Sequence, residues 1–197
     1  MIMIKRKKIF ITLFIQLMLI CFLFQSIIAQ EKPNIIFIMA DDLGYGEVGS
    51  YGQKLIQTPN IDRLSAKGIQ FSDFYSGAAV CAPARSVLMT GLHTGHTRVR
   101  GNFGKGGVIG LAGKAGRVPI KEEDLTVAEV LQDRGYHTGM IGKWGLGEPN
   151  TTGEPNQKGF DYFYGFYNQR RAHSYYPEYL WENTQKIILH GNQKEQR

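Results

Sequence analysis

At 197 residues the chain is long enough to bury a real core in one domain, and its net charge of +6 is unevenly placed. Lys5, Arg6, Lys7 and Lys8 precede an almost wholly apolar run from Ile9 to Phe24. Without those four, Lys and Arg nearly balance the 17 Asp and Glu, so no clustered basic face remains and nucleic acid is excluded as a partner. The first 29 residues read as a secretory signal peptide cleaved after Ala29, with residues 30–197 as the folded part. The alternative is an uncleaved anchor, for which the apolar run is short. No stable membrane anchor is expected. An exported location is: periplasmic or extracellular, or lysosomal or secreted in a eukaryote. Cys21 belongs to the leader, which leaves Cys81 without a partner and marks it for a special role or an intermolecular bridge.

Pro33 to Ala40 predicts a buried strand, because Ile35-Ile36-Phe37-Ile38-Met39 is a continuous apolar run. Asp41 and Asp42 follow at its carboxyl end, where open α/β sheets collect ligands. Two adjacent carboxylates either share a hard cation, Ca²⁺ or Mg²⁺, or simply make a polar turn. Thr58 and Pro59 predict a helix start, with Ile61, Leu64 and Ala66 facing inward and Gly68 as the stop. Ile69 to Tyr75 alternates as a strand does. Strand, helix, strand in that order predicts a parallel sheet with crossover helices.

Cys81-Ala82-Pro83-Ala84-Arg85 comes next and leads into a short apolar run closed by Gly91. Pro83 suits the first turn of a helix and Gly91 its end. Cys81 then lies at a helix N-terminus, where unpaired N–H groups and the helix dipole favour an anion. Arg85, one turn on, adds a charge that grips an oxyanion. The plain alternative is a cysteine buried as a small hydrophobe. Leu92 to Gly116 reads as loop. Its His93 and His96 are metal ligands by type, but without acidic neighbours they read better as surface residues. Thr126 opens a helix through Val127, Val130 and Leu131 that ends at Gly135, and Tyr136 to Ile141 predicts a further strand. Lys143 lies just beyond that strand. The aromatic stretches Phe160 to Tyr167 and Tyr175 to Trp181 read as covering a core edge, with sugar stacking as the rarer use. His173, after Arg170 and Arg171, is a candidate substrate contact.

The Cys81-X-Pro83-X-Arg85 pentapeptide resembles the signature of the sulfatase family. Asn34 to Gly46 is similar to that family's first strand and metal-binding turn, Thr58 to Leu64 to its first helix, and Gly142-Lys143-Trp144-Gly145-Leu146-Gly147 to its Gly-Lys-Trp-His-Leu-Gly segment. The resemblance implies an α/β, alkaline-phosphatase-like fold: a mostly parallel sheet flanked by helices, incomplete at the C-terminus. It implies that Cys81 is converted to formylglycine by a maturation enzyme, and that Asp41, Asp42 and residue 81 bind Ca²⁺, with Mg²⁺ as the second choice. Arg85 and Lys143 become contacts to a sulfate carried by an aromatic or carbohydrate alcohol. The implied reaction is hydrolysis of that ester. The family's remaining metal ligands, a further lysine and a further histidine would come from far downstream, so these residues alone are expected to be inactive. Gly145 departs from the pattern, which has histidine there. The rival functions are phosphate or phosphonate ester hydrolysis at the same kind of metal site, and glycan binding without turnover.

Overall fold

The structure is a computed structural model in which residues 14–16, 32–103, 108–110 and 113–192 are described. The leader therefore lies almost wholly outside the described residues. No helix among the described residues is long and apolar enough to cross a membrane. The chain divides into two units, Met1–Gly44 and Tyr45–Arg197.

In the first unit, residues 32–40 are extended but belong to no ladder. The expected buried strand is not formed: Ile36 is 86% and Ile38 82% exposed. A central strand needs hydrogen-bonding neighbours and two covered faces. The described residues supply neither for this run, so its apolar pattern goes unused.

The second unit carries the packed structure. Helix α1 spans Pro59–Lys67. Thr58 precedes it as expected, but its hydroxyl makes no cap. Instead the Thr58 hydroxyl accepts the Gly49 N–H (2.8 Å) and donates to Asp62 Oδ1 (3.0 Å), which also accepts the Ser50 N–H (2.7 Å). The face expected to be inward is outward: Ile61 and Leu64 are exposed. The expected strand over 69–75 is likewise absent, and the chain there is bends and irregular backbone. Helix α2 spans Cys81–Thr90 and ends as expected at Gly91, whose left-handed backbone (φ 66°) lets its N–H reach Val87 O.

Strands β1 (Val108–Gly110) and β2 (Gly113–Arg117) pair antiparallel. Helix α3, Val127–Asp133, opens with a full capping box: the Thr126 hydroxyl accepts the Glu129 N–H while Glu129 accepts the Thr126 N–H. A mixed sheet follows, with strands β3 (Gly139–Lys143), β4 (Tyr162–Phe166), β5 (Tyr179–Glu182) and β6 (Gln185–Ile188) adjacent in chain order. Pair β3–β4 is parallel, but not between the strands from which a parallel sheet was expected, and its connection carries only a 3₁₀ turn at Pro155–Lys158 in place of a crossover helix; β4–β5 and β5–β6 are antiparallel. The aromatic tail thus forms strands, and its Phe163 and Tyr167 are core residues.

That core joins helix and sheet. Ala82 of α2 and Ala128 of α3 pack with Ile120, Trp144, Leu146, Phe160, Phe163 and Tyr167. Edge-on aromatic contacts fix the rings: Trp144 on Phe160, and Tyr167 between Phe163 and Trp181. Lys158 is buried in the same unit, and its ammonium donates to Glu129 Oε1 (3.1 Å) and to the carbonyls of Lys121 and Glu122. A buried ammonium survives only with such a full set of partners.

Candidate active site

Two fixed elements bring the central pair together. The loop before α2 lies against that helix so closely at Gly77 that a Cβ there would stand 2.2 Å from a Val87 methyl. Only glycine permits the approach, which fixes where the helix starts. Its first residues are then held by a side chain from elsewhere: Asn102 Oδ1 accepts the Ala82 N–H (3.2 Å). Cys81 is the first helical residue and half-buried, with Arg85 one turn on and only 6% exposed. On the other side, β3 ends at Lys143 and is followed by Trp144 and Leu146, both fully buried. The N–H groups of Trp144 and Gly145 go on bonding to Phe166 and Tyr167 carbonyls (3.0 Å each). The Trp144 indole N–H adds a bond to Gly153 O (2.6 Å). Lys143 is thus clamped between β3 and a buried tryptophan, and its Nζ donates to Cys81 Sγ across 3.6 Å.

The three residues read from the sequence as catalytic in this unit are Cys81, Arg85 and Lys143. The structure puts a thiol at a helix N-terminus, a lysine ammonium on its sulfur and a buried guanidinium on the same helix. Such a constellation can stabilise an oxyanion bound at residue 81. Asp41 and Asp42 belong to the first unit. Both are exposed, and Asp42 has left-handed backbone (φ 58°), which aspartate tolerates better than most residues. They are hard oxygen donors of the kind that could hold a metal ion, and they supply only part of the six to eight oxygens that calcium takes.

Gly145 also has left-handed backbone (φ 79°), and a Cβ there would lie 3.0 Å from Gln169 Oε1. Position 145 is therefore filled from outside, by a buried glutamine reaching over from the segment after β4. Gln169 donates from Nε2 to Asn102 Oδ1 (2.8 Å), the atom that holds the Ala82 N–H. Asn102, Gln169 and Arg117 are members of this neighbourhood that sequence reasoning missed. The one available signal was Gly145 itself, since a missing imidazole asks what occupies its space.

Arg117 is 5% exposed and donates to Asn102 O (2.5 Å) while its guanidinium lies over the Phe103 ring. Burial pulls its pKa down; Glu148 opposes that, Arg170 adds to it, and the field of Cys81 opposes it weakly. Glu148, buried behind, is pushed up by desolvation against the opposing effects of Asn168, Arg117 and Arg171. His173 is exposed and lines a cavity with Asn102, Arg117 and Gln169. His93 and His96 stay at the surface: His93 Nδ1 accepts the Gly95 N–H, and His96 lines a cleft with Arg98, Arg100, Lys121 and Glu123.

Comparison with known proteins fits this geometry. The family model for Sulfatase matches residues 33–196, so the chain belongs to the sulfatase family. Human steryl-sulfatase is 39% identical over 142 residues, covering 70% of this chain and 24% of that protein. Human arylsulfatase A is 43% identical over 136 residues, 68% of this chain and 25% of that protein. Among solved structures, Ps i-CgsB in complex with k-i-k-neocarrahexaose matches with TM-score 0.65 at 32% identity, over 81% of this chain and 38% of that one. The chain thus spans about a quarter of the curated relatives' length. The α/β arrangement of the described residues is shared with these solved structures.

Proposed function

We propose that this chain is the nucleophile-bearing part of a sulfuric ester hydrolase. The observation that carries the reading is the Lys143 ammonium on Cys81 Sγ at the N-terminus of α2, with Arg85 buried one turn on. Conversion of Cys81 to formylglycine supplies a hydrated aldehyde, one hydroxyl for attack on sulfur and a second to expel sulfate and restore the aldehyde. Lys143 would offset the charge that develops on the sulfate oxygens and on the leaving oxygen in the transition state. Arg85, one turn on, and the N-terminal end of the α2 dipole would stabilise the same charge. Asn102 keeps that end in position by anchoring Ala82. Asp41 and Asp42 are the residues that would hold the divalent cation, calcium before magnesium. The cation would supply a Lewis acid for the sulfate oxygens.

Export, loss of residues 1–29 and dependence on a maturation enzyme belong to the same proposal. A carbohydrate carrier for the sulfate is favoured over a simple aryl one, because Ps i-CgsB was solved with neocarrahexaose. His173 is the candidate contact to that carrier, since it lines the cavity beside Asn102.

Turnover of matched sulfate and phosphate esters by natively produced protein that carries this chain together with the downstream residues completing the metal site tests the reading. The expected result is a preference for sulfate, abolished in Cys81→Ala with little loss of fold, and a fall in kcat of about 10²-fold in Lys143→Ala. Preference for phosphate, or full activity in Cys81→Ala, would overturn it.

A further inference from the structure

The cavity beside the nucleophile has a composition that the ester hydrolysis itself does not explain. It encloses about 370 Å³ and is lined by Asn102, Phe103, Arg117, Gln169, Arg170 and His173. That volume is at the small end of ligand pockets, about 300–1,000 Å³. Its floor is Arg117 and Gln169, 5% and 2% exposed; its rim is Arg170 and His173, both exposed. Phe103, half exposed, offers an apolar face on which the Arg117 guanidinium already lies at 4.7 Å. Asn102 connects floor to nucleophile: its Oδ1 takes the Ala82 N–H and its carbonyl the Arg117 Nη1.

Two buried polar atoms in this floor have no hydrogen-bond partner among the described residues: Arg117 Nε and Gln169 Oε1. Unmade bonds of buried groups are costly, more so for a charged one. Arg170 adds a second guanidinium at the rim, and the two positive charges disfavour each other. Glu148 interacts with Arg117 and offsets part of that charge. The occupant that relieves these costs is an anion that can accept from Arg117, carried on a polar ring whose hydroxyl can donate to Gln169.

We propose that this cavity is a subsite for a second anionic group on the substrate, a carboxylate or a further sulfate on the sugar unit that bears or adjoins the scissile ester. The proposal rests on the hydrolase reading for its substrate, though its binding test does not need turnover. A monosulfated neutral sugar leaves Arg117 and Arg170 facing an empty cavity. A sugar with a second anion pairs them, and Gln169 then orients a ring hydroxyl through Oε1.

The test is calorimetric binding of three unsulfated-at-the-scissile-position disaccharides to the natively produced protein: one with a uronate, one with a single sulfate on the adjoining sugar, and one neutral. At least one anionic probe is expected to bind about tenfold or more tightly than the neutral one. Which of the two does so identifies the group. The discrimination is expected to collapse in Arg170→Gln, an exposed position that does not threaten the fold, and in Arg117→Gln. Equal affinity for all three probes, or discrimination that survives both substitutions, would overturn the subsite. Aryl sulfate turnover by the unaltered protein is measured alongside. That readout bears on the hydrolase reading alone, since the binding comparison stands without it.

Discussion

The segment from Tyr45 to Val80 and the segment from Val118 to Glu182 are similarly rich in apolar residues, yet the first buries only Val48 while the second buries a cluster of them. In the first, Ile61, Leu64, Ile69, Phe71 and Phe74 are exposed, and α1 is held by the polar Thr58–Asp62–Ser50 ties. In the second, Trp144, Leu146, Phe163 and Tyr167 are sealed between α2, α3 and the sheet. Apolar periodicity states which face an element can bury. Whether it does so depends on a partner surface, and among the described residues the second segment has much the larger one.

The comparison breaks or holds on paired truncations. Phe163→Ala is expected to cost about 3–5 kcal/mol in chemical denaturation, whereas Leu64→Ala stays within about 0.5 kcal/mol. Comparable losses at the two sites would mean that Leu64 has a packing partner. Gly145→His forces a Cβ into left-handed backbone and against Gln169, which predicts about 1–2 kcal/mol of destabilisation and no gain in turnover. A more active Gly145→His protein would show that the imidazole is merely missing and that Gln169 is no substitute. Asp62→Ala removes two acceptor contacts that anchor α1 and should cost about 1 kcal/mol, seen as earlier loss of helix signal.

The smallest expected effect is electrostatic. Burial raises the Glu148 pKa above its unfolded value, so between the two values the folded state holds more protons. Its contribution therefore favours the fold at low pH and is lost as pH rises through the ordinary carboxylate range and just above it. Glu148→Gln should flatten that decline in a pH series of denaturation curves. An unchanged pH slope would show that Arg117 and Arg171 already cancel the burial cost.

Much of the site was legible in the residues, because it rests on local chemistry. Pro83 lies in the first turn of α2 and Gly91 ends it, Thr126 starts α3, and Lys143 is the last residue of β3, two positions beyond the end of the strand expected over Tyr136–Ile141. The strand expected at Pro33–Ala40 and the one at Ile69–Tyr75 failed for a non-local reason: strands need neighbours, and an apolar run cannot state that it has them. Asn102, Arg117 and Gln169 were illegible for a related reason. They meet through contacts between residues far apart in the chain, Gln169 to Asn102 spanning 67 positions. Only Gly145, where an expected side chain is absent, marked the place they fill.

The central claim is that residue 81 is made into a nucleophile rather than kept as a buried thiol. The most direct measurement is the mass of the peptide containing residue 81, taken from natively produced, active protein. The account predicts an aldehyde or its hydrate at that position, with Arg85 unmodified. An intact Cys81 thiol in fully active material would contradict it.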